Sequence, residues 1–348
     1  MMEGFSQELQ RIQTICLMIL TAIAVAAALY WLRPVMIPFV LSVFCVTALS
    51  MAVDFLTNRF SFPKPIAMAT AIVGMVIGFL LLAGVVMSSV RELANNAGGY
   101  QSSVMGMMDR LFYSLDLGRF GVSQEEMREY YKTPVRSIGS VLLGTTNAIL
   151  DLLSRSTLVI IFIIFLLVGS PGSKASAHSM WVEIESKIRR YIATKIAISA
   201  ATGLVVGVIL TVLGVDLAVA FGLMAFLLNF IPSLGSIIAT LMPLPVVLVS
   251  PESGPLTVGL TLLLPGTVQL IVGNVLEPKV MGDSLAMHPV VILMALIFWG
   301  MLWGIVGMFL AVPITASIKI ILSRFSYTRS IALLLEGNLS ALEPKEPE

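Results

Sequence analysis

From Leu217 to Val249 the chain is apolar for 33 residues, except where the octet Asn229-Phe-Ile-Pro-Ser-Leu-Gly-Ser236 interrupts it. A helix needs about 20 residues to cross the hydrocarbon of a bilayer. A run this long, broken by Pro and Gly at a polar centre, is either one tilted and kinked helix or two short helices meeting at a polar tip. In hydrocarbon, opened backbone is tolerated only where protein buries it or water reaches it. The octet therefore predicts a place where the chain handles something other than lipid.

Composition puts this run in a membrane. Of 348 residues, 57% are hydrophobic and 12% charged, with a mean hydropathy of +0.97; a soluble domain carries about 25% charged residues. A net charge of +1 gives nucleic acid no electrostatic hold. Cys16 and Cys45 lie in apolar stretches and read as buried, inert thiols. Two cysteines and two histidines, all scattered, form no metal set. No phosphate-binding Gly-x-x-x-x-Gly-Lys-Ser/Thr loop and no catalytic constellation appears, so neither a cofactor nor an enzyme is expected. The first apolar run is too long for a cleavable signal.

Taken in order, the chain reads as an all-α polytopic membrane protein with six to eight membrane segments and a small extramembrane region. Residues 1–90 hold three spans, Ile15–Leu32, Val35–Val53 and Ile66–Val90, the third with Gly74 and Gly78 spaced for close helix contact. Residues 91–144 are polar, with six basic and six acidic residues and a capping-box signature at Ser123–Glu126. They read as an extracytoplasmic helical region. Residues 145–195 hold a fourth span, with Asp151 and Arg155 placed to pair, and a basic connector containing Lys187, Arg189, Arg190 and Lys195. A C-terminal region, 196–323, opens with a fifth span, Ile196–Leu213, in which Gly203 and Gly207 form a second small-residue face. Residues 324–348 are a tail. Cations follow spans two and four, so a cytoplasmic N-terminus places both clusters and the tail inside and 91–144 outside.

The C-terminal region echoes itself. Pro289–Leu322 is a second long apolar run, of 34 residues. At an offset of 70, Leu223-Met-Ala225 falls on Leu293-Met-Ala295 and Pro243 on Pro313, with Gly235 central to one run and Gly300, Gly304 and Gly307 to the other. Paired, interrupted apolar segments point to a transporter's binding site, here between the two runs. If both runs are kinked spans, Glu252 is cytoplasmic and Asp283 outside. If both are re-entrant hairpins, the reverse holds, and Lys279 favours that choice.

Three stretches carry a resemblance. Phe230-Ile-Pro-Ser-Leu-Gly-Ser236, Gly273-Asn-Val-Leu-Glu-Pro-Lys-Val-Met-Gly282 and Phe298-Trp-Gly300 with Gly307-Met-Phe-Leu-Ala-Val-Pro313 resemble motifs of the AI-2E transporters, the autoinducer-2 exporter family. The layout is similar along nearly the whole chain. The resemblance implies a bacterial inner-membrane protein that exports the quorum-sensing signal autoinducer-2, a homo-oligomer of five chains, and an elevator-like movement. Some members resemble sodium(lithium)/proton antiporters. Here the spans are sparse in acids, which argues against ion exchange. A non-transporting scaffold acting through its outside region is the third class to separate.

A small hydroxyl-rich solute needs hydrogen-bond partners rather than one strong charge. Asn229, Ser233 and Ser236 supply side chains, and Pro232 and Gly235 open the backbone. The bland alternative is a simple kink. Asn274, Glu277 and Lys279 form a second candidate group. Glu277, before Pro278, is expected to be extended at a helix end, and is either a proton or cation site in a cavity or an interface acid paired with Lys279. Gln269, mid-span, must find a neighbouring helix or a solute. Trp299 and Trp303 read as packing or gating residues, and His288 as a cap or a proton relay.

Overall fold

The computed structural model describes residues 2–96, 98–99, 102, 106, 156–169, 180–250, 253–281, 287–325 and 328–337. The Ser123–Glu126 signature, the Asp151/Arg155 spacing, Glu252, Gly282 and Asp283 lie outside the described residues. Among those described there is helix and no strand. This is the all-α solution that lipid imposes, because a helix satisfies its own backbone. Among the described residues, six helical segments are long and apolar enough, by length and composition, to cross a membrane: Ile12–Trp31, Arg33–Phe60, Lys64–Ser89, Ile184–Val212, Pro255–Val280 and Pro289–Arg324. The chain is an all-α polytopic membrane protein.

In order, the helices are α1 (Met2–Trp31), α2 (Arg33–Phe60), α3 (Lys64–Asn95), α4 (Ser156–Val168), α5 (Met180–Val212) and α6 (Ala218–Leu228). Then follow α7 (Leu234–Leu241), α8 (Leu244–Val249), α9 (Pro255–Ile271), a π-helical turn Val272–Leu276, α10 (Glu277–Met281), α11 (Pro289–Arg324) and α12 (Arg329–Glu336). Contacts divide the chain into two compact units. One comprises Met1–Val46, Leu158–Ile188 and Ala286–Glu348; the other comprises Thr47–Thr157 and Arg189–Leu285.

In the first unit, α11 is the organising element. His288 caps it, its Nδ1 accepting the Val290 N–H at 3.3 Å. Gly304, at φ 66° and ψ −145°, holds a conformation essentially closed to other residues. There the chain doubles back. Trp299 Nε1 donates to Thr315 Oγ1 at 3.1 Å, whereas sixteen residues of unbroken helix would separate them by about 24 Å. Gly307 sits so tightly on the preceding strand of chain that a Cβ would fall 1.9 Å from the Trp299 carbonyl oxygen. Both tryptophans are buried, and Trp303 Nε1 donates to the Leu29 carbonyl at 3.2 Å. Phe44 meets Phe309, and Phe39 meets Phe162, edge to face. α12 closes on α11: the buried Lys319 pairs with Glu336 at 2.6 Å, and the His288 N–H donates to the Leu335 carbonyl at 3.1 Å. Cys16 is exposed on α1 rather than buried, because the outward face of a membrane helix is solvated by lipid and has no need of a protein cover.

In the second unit the core gathers Val206 and Leu210 of α5, Phe221 and Ala225 of α6, Ala239 of α7 and Val247 of α8. Gly203 and Gly207 let α6 approach α5 closely, since a Cβ on the facing Gly222 would lie 2.7 Å from the Gly207 Cα. Gly74 and Gly78 do not act this way among the described residues, for a Cβ on either meets none of them within 4 Å. The first long run also doubles back. A Cβ on Gly235 would fall 1.8 Å from the Leu228 carbonyl oxygen, where seven residues of one helix would hold them about 10 Å apart. The sequence echo thus has a structural counterpart. Each run turns at a positive-φ residue, Ser233 or Gly304, and each then lays a glycine on the carbonyl of the helix before the turn.

Candidate functional site

The turn after α6 is built from a proline and a strained serine. Pro232 has no N–H to give, and its carbonyl accepts the Leu234 N–H at 2.7 Å. That bond spans two residues, with Ser233 at its centre at φ 62° and ψ −54°, a γ-turn of the rare positive-φ kind. Strain of this sort costs on the order of 1–3 kcal/mol and tends to gather at working sites. The Ser236 hydroxyl donates to the Ser233 carbonyl at 2.9 Å and locks the start of α7.

Opposite lies the π-helical turn. Pro278 would clash with the carbonyl four residues back, at Asn274, in a regular helix. Widening the turn at Val272–Leu276 relieves that clash and lets the helix continue. Glu277 is therefore helical, at φ −59° and ψ −51°, its N–H reaching the Val272 carbonyl. The extended conformation expected before proline is not what forms. The Asn274 amide donates to the Leu270 carbonyl at 3.1 Å.

α5 stands behind Glu277. Tyr191, Lys195, Ser199 and Thr202 share one buried face at spacings of four and three residues. Lys195, 1% exposed, donates from Nζ to Glu277 Oε1 at 2.5 Å. Asn229 Nδ2 donates to Ser199 Oγ at 3.0 Å and reaches Glu277 Oε1 at 3.5 Å. One ion pair and one amide thus tie α5, the turn after α6 and the start of α10 together. Two expectations are corrected here. Glu277 pairs with Lys195, not Lys279, and Lys195 lies inside the apolar span Ile184–Val212 rather than in a connector. The physical reason is shared: a lysine within an apolar helix is tolerable once a carboxylate neutralises it.

The turn with α7, and α9 with its π-helical continuation to Glu277, bound a cavity of about 560 Å³. Pro232, Ser233, Ser236 and the following residues of α7 line it from one side; Gln269 with its α9 neighbours, Gly273, Asn274 and Glu277 line it from the other. Of the residues nominated from sequence, Pro232, Ser233, Ser236, Gln269, Asn274 and Glu277 meet in this one cavity. Asn229 stands behind it, bonded to Glu277. Gly235 is the close-packing point under the turn. Lys279 is exposed and is not among the lining residues. Gln269 is 5% exposed, and neither of its amide atoms has a partner among the described residues. A buried amide left unpaired costs about 1–3 kcal/mol per group, so it calls for a reason.

Lys195 and Ser199 escaped the sequence reading. A signal was present: Ile184, Ile188, Ile192 and Lys195 continue one helical face straight into the span, without Pro or Gly between. The charges of that segment, taken alone, predict a connector.

Known proteins are similar to this sequence. A sequence model of the AI-2E family transporters matches residues 19–326. The "AI-2 transport protein TqsA" of Escherichia coli (strain K12) is 32% identical over 86% of this chain and 89% of its own length. A "putative transport protein" of Haemophilus influenzae is 28% identical over 91% of this chain and 94% of its own. The E. coli "putative transport protein YhhT" is 26% identical over 92% of this chain and 93% of its own.

Proposed function

Because this chain belongs to the AI-2E transporter family, we propose that it exports a small, hydroxyl-rich solute, autoinducer-2, through the cavity beside the Asn229–Ser236 turn. The observation that carries the reading is convergence. Six residues nominated from the sequence line one cavity, and Gln269 in its wall has an amide without a partner among the described residues. A solute hydroxyl can serve both ends of that amide. Ser233, the Asn274 side-chain oxygen and the second oxygen of Glu277 add further groups. The nearest cation, Lys195, is already paired, which suits an uncharged solute.

In this reading the two doubled-back runs are re-entrant, α6–α7–α8 and the halves of α11, and neither crosses the bilayer as a straight helix. The cavity is exposed to each side in turn by an elevator-like movement. The protein is a carrier rather than an enzyme, a homopentamer of a bacterial inner membrane, with both termini cytoplasmic.

The test is efflux from proteoliposomes loaded with autoinducer-2. Purified wild type should release it faster than protein-free vesicles, and Asn274→Ala should slow release at least tenfold. Equal release with and without protein would sink the proposal. Wild-type sodium or lithium flux that follows pH and disappears in Glu277→Gln would favour cation exchange instead. Cysteines placed at 252 and 283 test the re-entrant layout: the first should label from outside and the second should not.

A further inference from the structure

Among the described residues, the cavity has one carboxylate in its wall and one ammonium behind that carboxylate. Glu277 lines the cavity with its side chain 19% exposed, and the Lys195 side chain is 2% exposed and bonded to it at 2.5 Å. The remaining lining residues among those described are neutral. Asn229 and Ser199 complete the network with uncharged groups. In a low-dielectric surround the field of an unpaired charge is poorly screened, so the sum of these two charges decides which solutes can enter.

We propose that Lys195 sets the charge class that the cavity admits: by neutralising Glu277 from behind, it keeps the site open to uncharged polar solutes and closed to ions. It touches no solute itself; it acts through Glu277. The proposal rests on the cavity being the solute site. Removing Lys195 leaves a net charge of −1 and favours cations. Removing the Glu277 charge leaves +1 and favours anions. Removing both restores neutrality.

The electrostatic field can be read without knowing the solute. Cys16 and Cys45 are replaced by serine, and Ser236→Cys supplies a thiol in the cavity wall. Full-length protein in liposomes is then treated with cationic, anionic and neutral methanethiosulfonate reagents. The cation-to-anion rate ratio is normalised to that of a free thiol. A unit charge on the order of 10 Å away, at an effective dielectric near 20, moves such a ratio roughly tenfold or more. With Lys195 and Glu277 both present, the ratio should lie within about threefold of one. Lys195→Met should raise it at least tenfold, Glu277→Gln should lower it at least tenfold, and the double variant should return it. A ratio already tenfold toward cations in the parent, or single variants that leave it unchanged, would overturn the proposal. If the single variants do not fold, the parent ratio still decides. If even the neutral reagent fails to reach the thiol, the cavity is closed to water, and the proposal falls with the solute-site reading. If the ratios behave as stated while loaded vesicles release no solute, the transport reading fails and the charge assignment to Lys195 stands.

Discussion

Gly235→Ala is the sharpest perturbation of the doubled-back turn. The added Cβ would lie 1.8 Å from the Leu228 carbonyl oxygen and 2.6 Å from its carbon. An ordinary carbon–oxygen contact is about 3.3 Å, so α7 would have to move roughly 1.5 Å from α6. The obstacle is backbone, not the end of a flexible side chain, and it sits beside the strained Ser233 and the Asn229 bond to Ser199. Overpacking of this kind costs about 1–3 kcal/mol, and the broken polar network adds to it. A loss near 3 kcal/mol corresponds to a fall in Tm of about 10 °C. Gly74→Ala is the control: its Cβ meets nothing within 4 Å, and alanine gains about 1 kcal/mol in a helix interior. Fluorescence-detected size exclusion of heated samples in detergent reads both. Gly235→Ala should lose most of its folded peak about 10 °C below wild type, and Gly74→Ala should match or exceed wild type. A Gly235→Ala variant as stable as wild type would show that the turn does not press α7 onto α6.

Gln269→Leu should raise Tm by a few degrees, since it removes a buried unpaired amide worth about 1–3 kcal/mol, while reducing solute efflux at least tenfold; a fall in Tm would mean the amide is a structural partner. Glu277→Gln should destabilise by about 3–5 kcal/mol because Lys195 is left buried without its counter-charge. The double variant Lys195→Met/Glu277→Gln should recover most of that in the same melt, and a double variant no more stable than the single would refute the pairing. Trp299→Phe should cost about 1–3 kcal/mol by orphaning the buried Thr315 hydroxyl, with tryptophan emission reporting any loosening of the α11 fold-back.

Much of the site was legible because its residues break rules that the membrane enforces. A Pro-Ser-Leu-Gly interruption in a 33-residue apolar run, a Gln mid-span and an Asn and Glu before proline all stand out against hydrocarbon. Gly203 and Gly207 were legible by spacing, but Gly74 and Gly78 show that spacing alone does not create a partner. Lys195 stayed hidden, because a cation next to a basic segment looks solvated until its acid is found 82 residues away.

By itself the sequence determined that the chain is helical and embedded in lipid, where its broken runs lie, and which polar groups need explaining. These are local properties: length, hydropathy and the chemistry of Pro and Gly act on neighbouring residues. Only the tertiary structure decided that both runs turn back on themselves, that Glu277 is helical and that its partner is Lys195. A turn's direction and an ion pair's membership depend on which distant surfaces meet. In a low-dielectric interior a buried charge takes whichever counter-charge the packing brings within reach, not the nearest one along the chain.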